Sequence, residues 1–139
     1  MPRSDRSGGR GRAASGGREH GAAVVDFVLV LVVIVPLFLG VLQVALVLHV
    51  RNTLTSAASE GARYAATADR PLDAGAARTR QQISGALAAR FAGDVTVAPS
   101  QVGGAAGVEV RVVAVVPPLG LWGPGVRLVV TGHAIEEAP

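Results

Sequence analysis

A long apolar run from Phe27 to Leu48 constrains this chain more than any other feature. As a helix rising about 1.5 Å per residue, the run would be about 33 Å long, close to the thickness of a bilayer's hydrocarbon core. It therefore predicts a membrane-spanning segment at about residues 24–48, the first half of a long helix over residues 22–68. The residues in the run that are not plainly apolar are Pro36, Gly40 and Gln43.

Residues 1–21, ahead of the run, are rich in arginine, glycine and serine, and we expect them to form a disordered basic leader. They hold five arginines and two acids, a net charge of +3, which equals the formal net charge of the whole chain. The remainder is therefore neutral and lacks the electrostatic footprint of a nucleic-acid-binding protein. Arginines before an apolar span favour a cytoplasmic N-terminus, with the C-terminal domain outside.

A cleaved secretory signal peptide is the main alternative to a retained span. Its apolar core usually covers about 7–15 residues and ends at a cleavage site with small residues. The run in this chain is longer, and residues 47–50 form a poor cleavage context. A helix retained in the membrane is the favoured interpretation.

Three residues in or beside the span need their own interpretation. Pro36 predicts a kink rather than a break, because membrane helices tolerate proline. Gln43 either hydrogen-bonds across a helix–helix contact or is a lone polar residue near the outer interface. Asp26 is a carboxylate at the mouth of the run, where it either lies at headgroup depth near the helix N-terminus or serves a function.

The helical pattern continues beyond the membrane, and its apolar face is made of small residues that let another backbone approach closely. We expect this face to lie on a sheet or on a partner helix. Glu60 and Arg63 are spaced to pair along the helix, and Pro71 follows its end. The apolar positions are Leu54, Ala58, Gly61, Ala62 and Ala65.

Residues 69–139 predict a small extracytoplasmic α+β domain. A second amphipathic helix is expected from about Leu72 to Phe91, closed by Gly93. Alternating valines then predict three short strands, separated by breakers at Pro99–Gly107 and at residues 117–125. The fold class is therefore α+β, with a long N-terminal helix and a second helix packed on a small antiparallel sheet.

No pattern typical of a catalytic or cofactor site is present in the sequence. The absence of cysteine excludes disulfides, zinc thiolates and thiol nucleophiles. The three histidines, at 20, 49 and 133, have no ligand spacing, and the glycines at 103–107 lack the context of a phosphate-binding loop. We expect no enzymatic activity, no cofactor, no metal and no small-molecule substrate.

The order of several motifs resembles that of the TadE-like proteins of tight-adherence (Flp) pilus systems, which are related to type IV pilins. The resemblance covers about residues 18–68. The apolar helix follows Gly21-Ala22-Ala23-Val24-Val25-Asp26-Phe27, as in a class III pilin leader. Pro36 and Gly40 come next, then Arg51-Asn52, and finally the family signature Glu60, Gly61, Ala62, Arg63 and Tyr64.

The resemblance implies a pilin-like fold and processing by a membrane prepilin peptidase between Gly21 and Ala22. Asp26 would then be the fifth mature residue, where such proteins usually have glutamate, and would pair with the free amine of a neighbouring subunit. The partners implied are the peptidase, other pilin or pseudopilin subunits, and the assembly platform. Gln43 departs from the family pattern, because an acid is common at that position.

These observations lead to three hypotheses. The first is a non-enzymatic, single-pass, pseudopilin-like protein of the inner (cytoplasmic) membrane, belonging to a tight-adherence pilus or a related secretion apparatus. The second is an uncleaved, membrane-anchored domain that binds an external partner without a pilus role. The third is a secreted protein whose apolar run is removed by signal peptidase.

Overall fold

The computed structural model describes residues 16–67, 70–120 and 123–136. Within these ranges the chain forms a long helix, a second helix, a short 3-10 helix and a sheet of three strands. The predicted α+β, pilin-like arrangement is confirmed, since both helices pack with one antiparallel sheet. The elements are α1 (Gly16–Ala66), α2 (Leu72–Ala86), the 3-10 helix (Ala89–Ala92), β1 (Asp94–Val102), β2 (Ala105–Val116) and β3 (Val126–Ile135).

Helix α1 takes part in two compact units, Met1–Phe38 and Leu39–Pro139. It begins at Gly16, inside the predicted leader, so residues 16–21 are helical, whereas residues 1–15 lie outside the described part of the chain. The helix passes through Pro36 without interruption. The predicted kink at that residue stays a prediction.

The sheet has the order β1-β2-β3, with both pairs of neighbours antiparallel. A two-residue turn joins β1 to β2 through Gly103 and Gly104, whose φ angles of 60° and 89° favour glycine. The break predicted within Pro99–Gly107 is therefore confirmed at Gly103 and Gly104, but its predicted extent is wrong, because β1 runs through Pro99 and pairs it with Val108. An edge strand such as β1 accepts proline where its nitrogen has no ladder partner.

The second helix is shorter than predicted. It ends at Ala86, and Leu87 is extended (φ −132°, ψ 177°) while its N–H donates to the Ile83 carbonyl at 2.7 Å. The 3-10 helix that follows places Phe91 in the core, which a straight continuation of α2 was expected to do. Gly93 has an ordinary helical φ of −70° and is not a left-handed cap.

The core of the second unit forms where the last part of α1 lies against the sheet and against α2. The predicted small-residue face is buried, with Leu54, Ala58 and Ala62 fully covered. Gly132 of β3 lies so close to α1 that an added Cβ would overlap main-chain atoms of Ala58 and Ser59. The inward face of the sheet that meets the helices comprises Val95, Val110, Val112, Ala114, Val116, Leu128 and Val130.

We predict that Gly132→Ala destabilises the domain by about 3 kcal/mol, because neither the strand nor the helix main chain can yield without repacking. Gly85→Ala is the matched control, since a Cβ at Gly85 meets nothing within 4 Å and alanine favours the helix. Chemical unfolding of the detergent-solubilised full chain measures both. Equal stability of the two variants would contradict the close approach at Gly132.

Candidate membrane and assembly site

The predicted processing site and the predicted functional acid lie together on the first part of α1. Gly21, Ala22 and Asp26 are all exposed. Ala22 and Asp26 are four residues apart on one helix and therefore occupy the same face. A Cβ added at Gly21 meets nothing within 4 Å, so the fold itself does not require glycine there.

The apolar run is exposed on every side of the helix. From Val24 to Phe38 successive large side chains remain uncovered, including Phe27 (62%), Val33 (67%) and Leu37 (66%). A helix that is apolar all round needs a nonpolar environment, whereas a stripe would indicate one partner. Among the described residues one helix, Gly21–Ala66, is long and apolar enough to span a membrane, with a mean hydropathy of 3.0 in its most apolar window.

Gln43 hydrogen-bonds to the segment that leads from β2 towards β3. Its Nε2 donates to the Pro117 carbonyl at 3.3 Å, and its Oε1 accepts from the Leu119 N–H at 2.8 Å. The amide thus forms a fork with main-chain groups of its own chain, where sequence reasoning considered a second helix as the partner. A carboxylate at this position would accept the second bond but could not donate the first.

The acid of the family signature joins the two helices. Glu60 lies 3.9 Å from Arg78 of α2, so the predicted pair with Arg63 on the same helix is wrong in this structure. Both partners are about 40% exposed, and such surface pairs contribute little to stability. Arg63 itself is exposed, and its carbonyl accepts from the Thr67 hydroxyl at 3.1 Å.

The rest of the signature forms the crossing of α1 and α2. Ala62 is fully buried, and a Cβ added at Gly61 would overlap the Thr79 hydroxyl and lie 2.9 Å from the Gly75 carbonyl oxygen. The guanidinium of Arg70 stacks over the Tyr64 ring at 4.0 Å, which holds the chain just beyond α1. These residues therefore have packing roles in this domain.

Sequence reasoning missed the α2 side of this crossing. A Cβ at Gly75 would lie 2.6 Å from Ala65 Cβ, and Thr79 is fully buried, donating to the Gly75 carbonyl at 2.9 Å. The available signal was the four-residue spacing of Gly75 and Thr79 on the face that also carries Ile83.

Chemistry that would need a bound ion has no visible site on the described residues. In those ranges no group of three or more His, Asp or Glu side chains is placed to hold a metal ion. The acid and histidine that do approach each other, Glu109 and His133, are cross-strand neighbours at 3.7 Å on the exposed face of the sheet.

We predict that Gly61→Ala destabilises the domain by about 2 kcal/mol, despite the better helix propensity of alanine, because the new methyl group separates α1 from α2. Thr79→Ala in the same chain removes the nearest obstacle and should restore part of this loss. A double-mutant cycle measured by chemical unfolding gives the coupling. Simple additivity of the two substitutions would show that they do not meet at the crossing.

The segment of α1 that contains these features is also the segment that is similar to a known protein family. Residues 21–63 match the family model described as TadE-like protein. No curated protein and no solved structure matches the chain. The match begins at Gly21, covers the apolar run and Gln43, and ends within the signature at the helix crossing. Over this segment of α1, the chain is similar to the TadE-like family.

Proposed function

We propose that this protein is a non-enzymatic, single-pass membrane component of a tight-adherence pilus or a related secretion apparatus, of the pseudopilin type. The observation that carries the proposal is the coincidence of the TadE-like match with an exposed apolar helix that continues into a packed domain. The helix supplies a membrane anchor, and its second half supplies part of the domain's core.

The proposed location is the inner membrane, with the N-terminus in the cytoplasm and the domain outside. The arginines before the span and the neutral remainder support this orientation. Asp26 is the only Asp, Glu or Arg between Glu19 and Arg51, so lipid-exposed charge is confined to one position near the cytoplasmic end.

In this proposal, a prepilin peptidase cuts between Gly21 and Ala22, and Asp26 acts in assembly. The new amine on Ala22 of one subunit would face the Asp26 carboxylate of a neighbour, so that two charges that are costly in a nonpolar environment offset each other. The other partners proposed are pilin or pseudopilin subunits and the assembly platform.

Retention of the helix is supported by where the core of the domain begins. Val50 is 1% exposed and Leu54 is fully buried, while Leu46 and Val47 pack against the same core. Cleavage by signal peptidase near residue 50 would remove several of these side chains from the domain. The secreted alternative is therefore disfavoured, whereas an anchored domain without a pilus role differs from the proposal only in processing and assembly.

We predict that co-expression with the prepilin peptidase shortens the membrane-bound chain by its first 21 residues, and that Gly21→Ala prevents this. The fold gives no reason for Gly21→Ala to disturb the helix, because the space around Gly21 is open. Intact mass and N-terminal sequencing of the membrane fraction provide the measurement.

Gly40→Ala is the matched control, since it is an exposed glycine of the same helix with nothing within 4 Å of an added Cβ. It should be processed like the unchanged chain. An unshortened chain in the presence of active peptidase would favour the anchored domain without processing. A soluble form that begins after about residue 50 would favour the secreted alternative.

We predict that Asp26→Asn abolishes crosslinking to other subunits in cells that make the pilus system, while Asp26→Glu preserves it, because only the carboxylates can pair with an amine. Neither change should prevent membrane insertion, which alkaline extraction checks. Crosslinks that persist in Asp26→Asn would remove Asp26 from the proposed assembly contact.

A further inference from the structure

The membrane-side end of the domain is formed by residues without charge, all of which except the buried Val116 are exposed or partly exposed. The register places the pair Val116 and Val126 at one end of the β2–β3 ladder, and Gly107 with Ile135 at the other. At the first end, Pro117–Gly120 leaves β2 and contacts Gln43 of α1. We call residues 115–120 together with Val126 the membrane-side edge.

We propose that the membrane-side edge inserts into the outer interfacial layer of the same phospholipid bilayer that α1 crosses. The domain would then be attached to the membrane at two places, the helix and this edge. This second lipid contact rests on the proposed membrane span of α1, and it sets the depth at which the domain meets the bilayer.

The depth follows from the position of Gln43 on α1. Val44 and Leu48, on the free side of the helix, are 60% and 53% exposed and are apolar. Leu48 lies five residues beyond Gln43, or about 7.5 Å further from the bilayer centre along the helix. If the apolar layer covers Leu48, then Leu119, hydrogen-bonded at the level of Gln43, is already within the interface.

On the side of α1 that faces the domain, packing of the helix against the domain core limits the contact with lipid. Leu46 and Val47 pack against the domain core, and Val50 is fully enclosed by it. Lipid can therefore cover this side of the helix only up to about Gln43.

The chemistry of the edge suits an interfacial location. No Asp, Glu or Arg occurs between Arg111 and Arg127, and within the edge Val115, Leu119 and Val126 are 55%, 44% and 39% exposed. Arg90 and Arg127 line one groove beside it, together with Asp94. Apolar side chains with arginines at their border match the acyl-chain and phosphate levels of a bilayer.

The two hydrogen bonds of Gln43 give this edge a fixed height on the helix. In water, such exposed bonds would contribute little net stability, because water competes for both groups. At the border of a nonpolar layer, the competition is weaker and unmet main-chain groups cost more. The fork satisfies the Leu119 N–H and the Pro117 carbonyl where the chain leaves β2.

The test uses the full chain in vesicles of phosphatidylcholine and phosphatidylglycerol, with part of the phosphatidylcholine carrying an acyl-chain nitroxide. Because the chain has no cysteine, single variants accept one fluorescent label each. Leu119→Cys probes the edge, Phe38→Cys probes the apolar run, and Gln101→Cys, beside the turn at the opposite end of the sheet, probes the water-exposed domain.

We predict that the nitroxide lipid removes about half or more of the emission from labels at 119 and 38, and leaves the label at 101 almost unchanged. Quenching at 38 without quenching at 119 would overturn the inference while preserving the membrane span. Absence of quenching at 38 would contradict the proposed span, and the inference with it. Quenching at all three positions would show non-specific collapse of the domain onto lipid and would also overturn the inference.

Gln43→Ala, introduced into the Leu119→Cys chain, tests the fork. It should lower the quenching at 119 relative to the control Val44→Ala, which alters an exposed neighbour on the same helix. The label at 38 should respond equally to nitroxide lipid in both. Unchanged quenching at 119 in Gln43→Ala would mean that the fork does not hold the edge at this depth.

Discussion

The structure depends on the close approach of α1 to two neighbours at once. On one side the helix main chain at Ala58 and Ser59 lies against Gly132 of the sheet, and on the other Gly61 meets Gly75 and Thr79 of α2. Both contacts are possible only because Gly132, Gly61 and Gly75 have no Cβ. Close packing of this kind replaces the large aromatic core that this chain, with 4% aromatic residues, cannot build.

The two parts of α1 therefore differ in how far their apolar side chains are covered. Its first part exposes apolar side chains in every direction, and its second part is covered by the sheet and α2. Because no loop separates the two parts, the core of the domain starts on the helix that is proposed to be the anchor. The packing at Gly61 and Gly132 thus holds the last part of α1 in the core of the second unit, Leu39–Pro139.

Sequence reasoning succeeded where a local period determines the structure. Alternating valines identified the three strands, and three- and four-residue spacing identified both helices and the buried face of α1. It failed where the local structure depends on contacts between residues that are far apart in the sequence. Pro99 remains in β1 because that strand is at an edge, and Gln43 bonds to residues more than 70 positions away, which no local pattern encodes.

Two polar side chains in or beside the apolar run, Asp26 and Gln43, differ in their hydrogen-bonding and ion-pair partners. The Gln43 amide finds a donor and an acceptor within its own chain. Asp26 lies exposed on α1, and the ion pairs formed between described residues do not include it. A carboxylate in or beside lipid gains most from a partner on another chain when the described residues of its own chain offer none. This asymmetry supports the proposed intermolecular role of Asp26 and the proposed role of Gln43 in fixing the height of the membrane-side edge on α1.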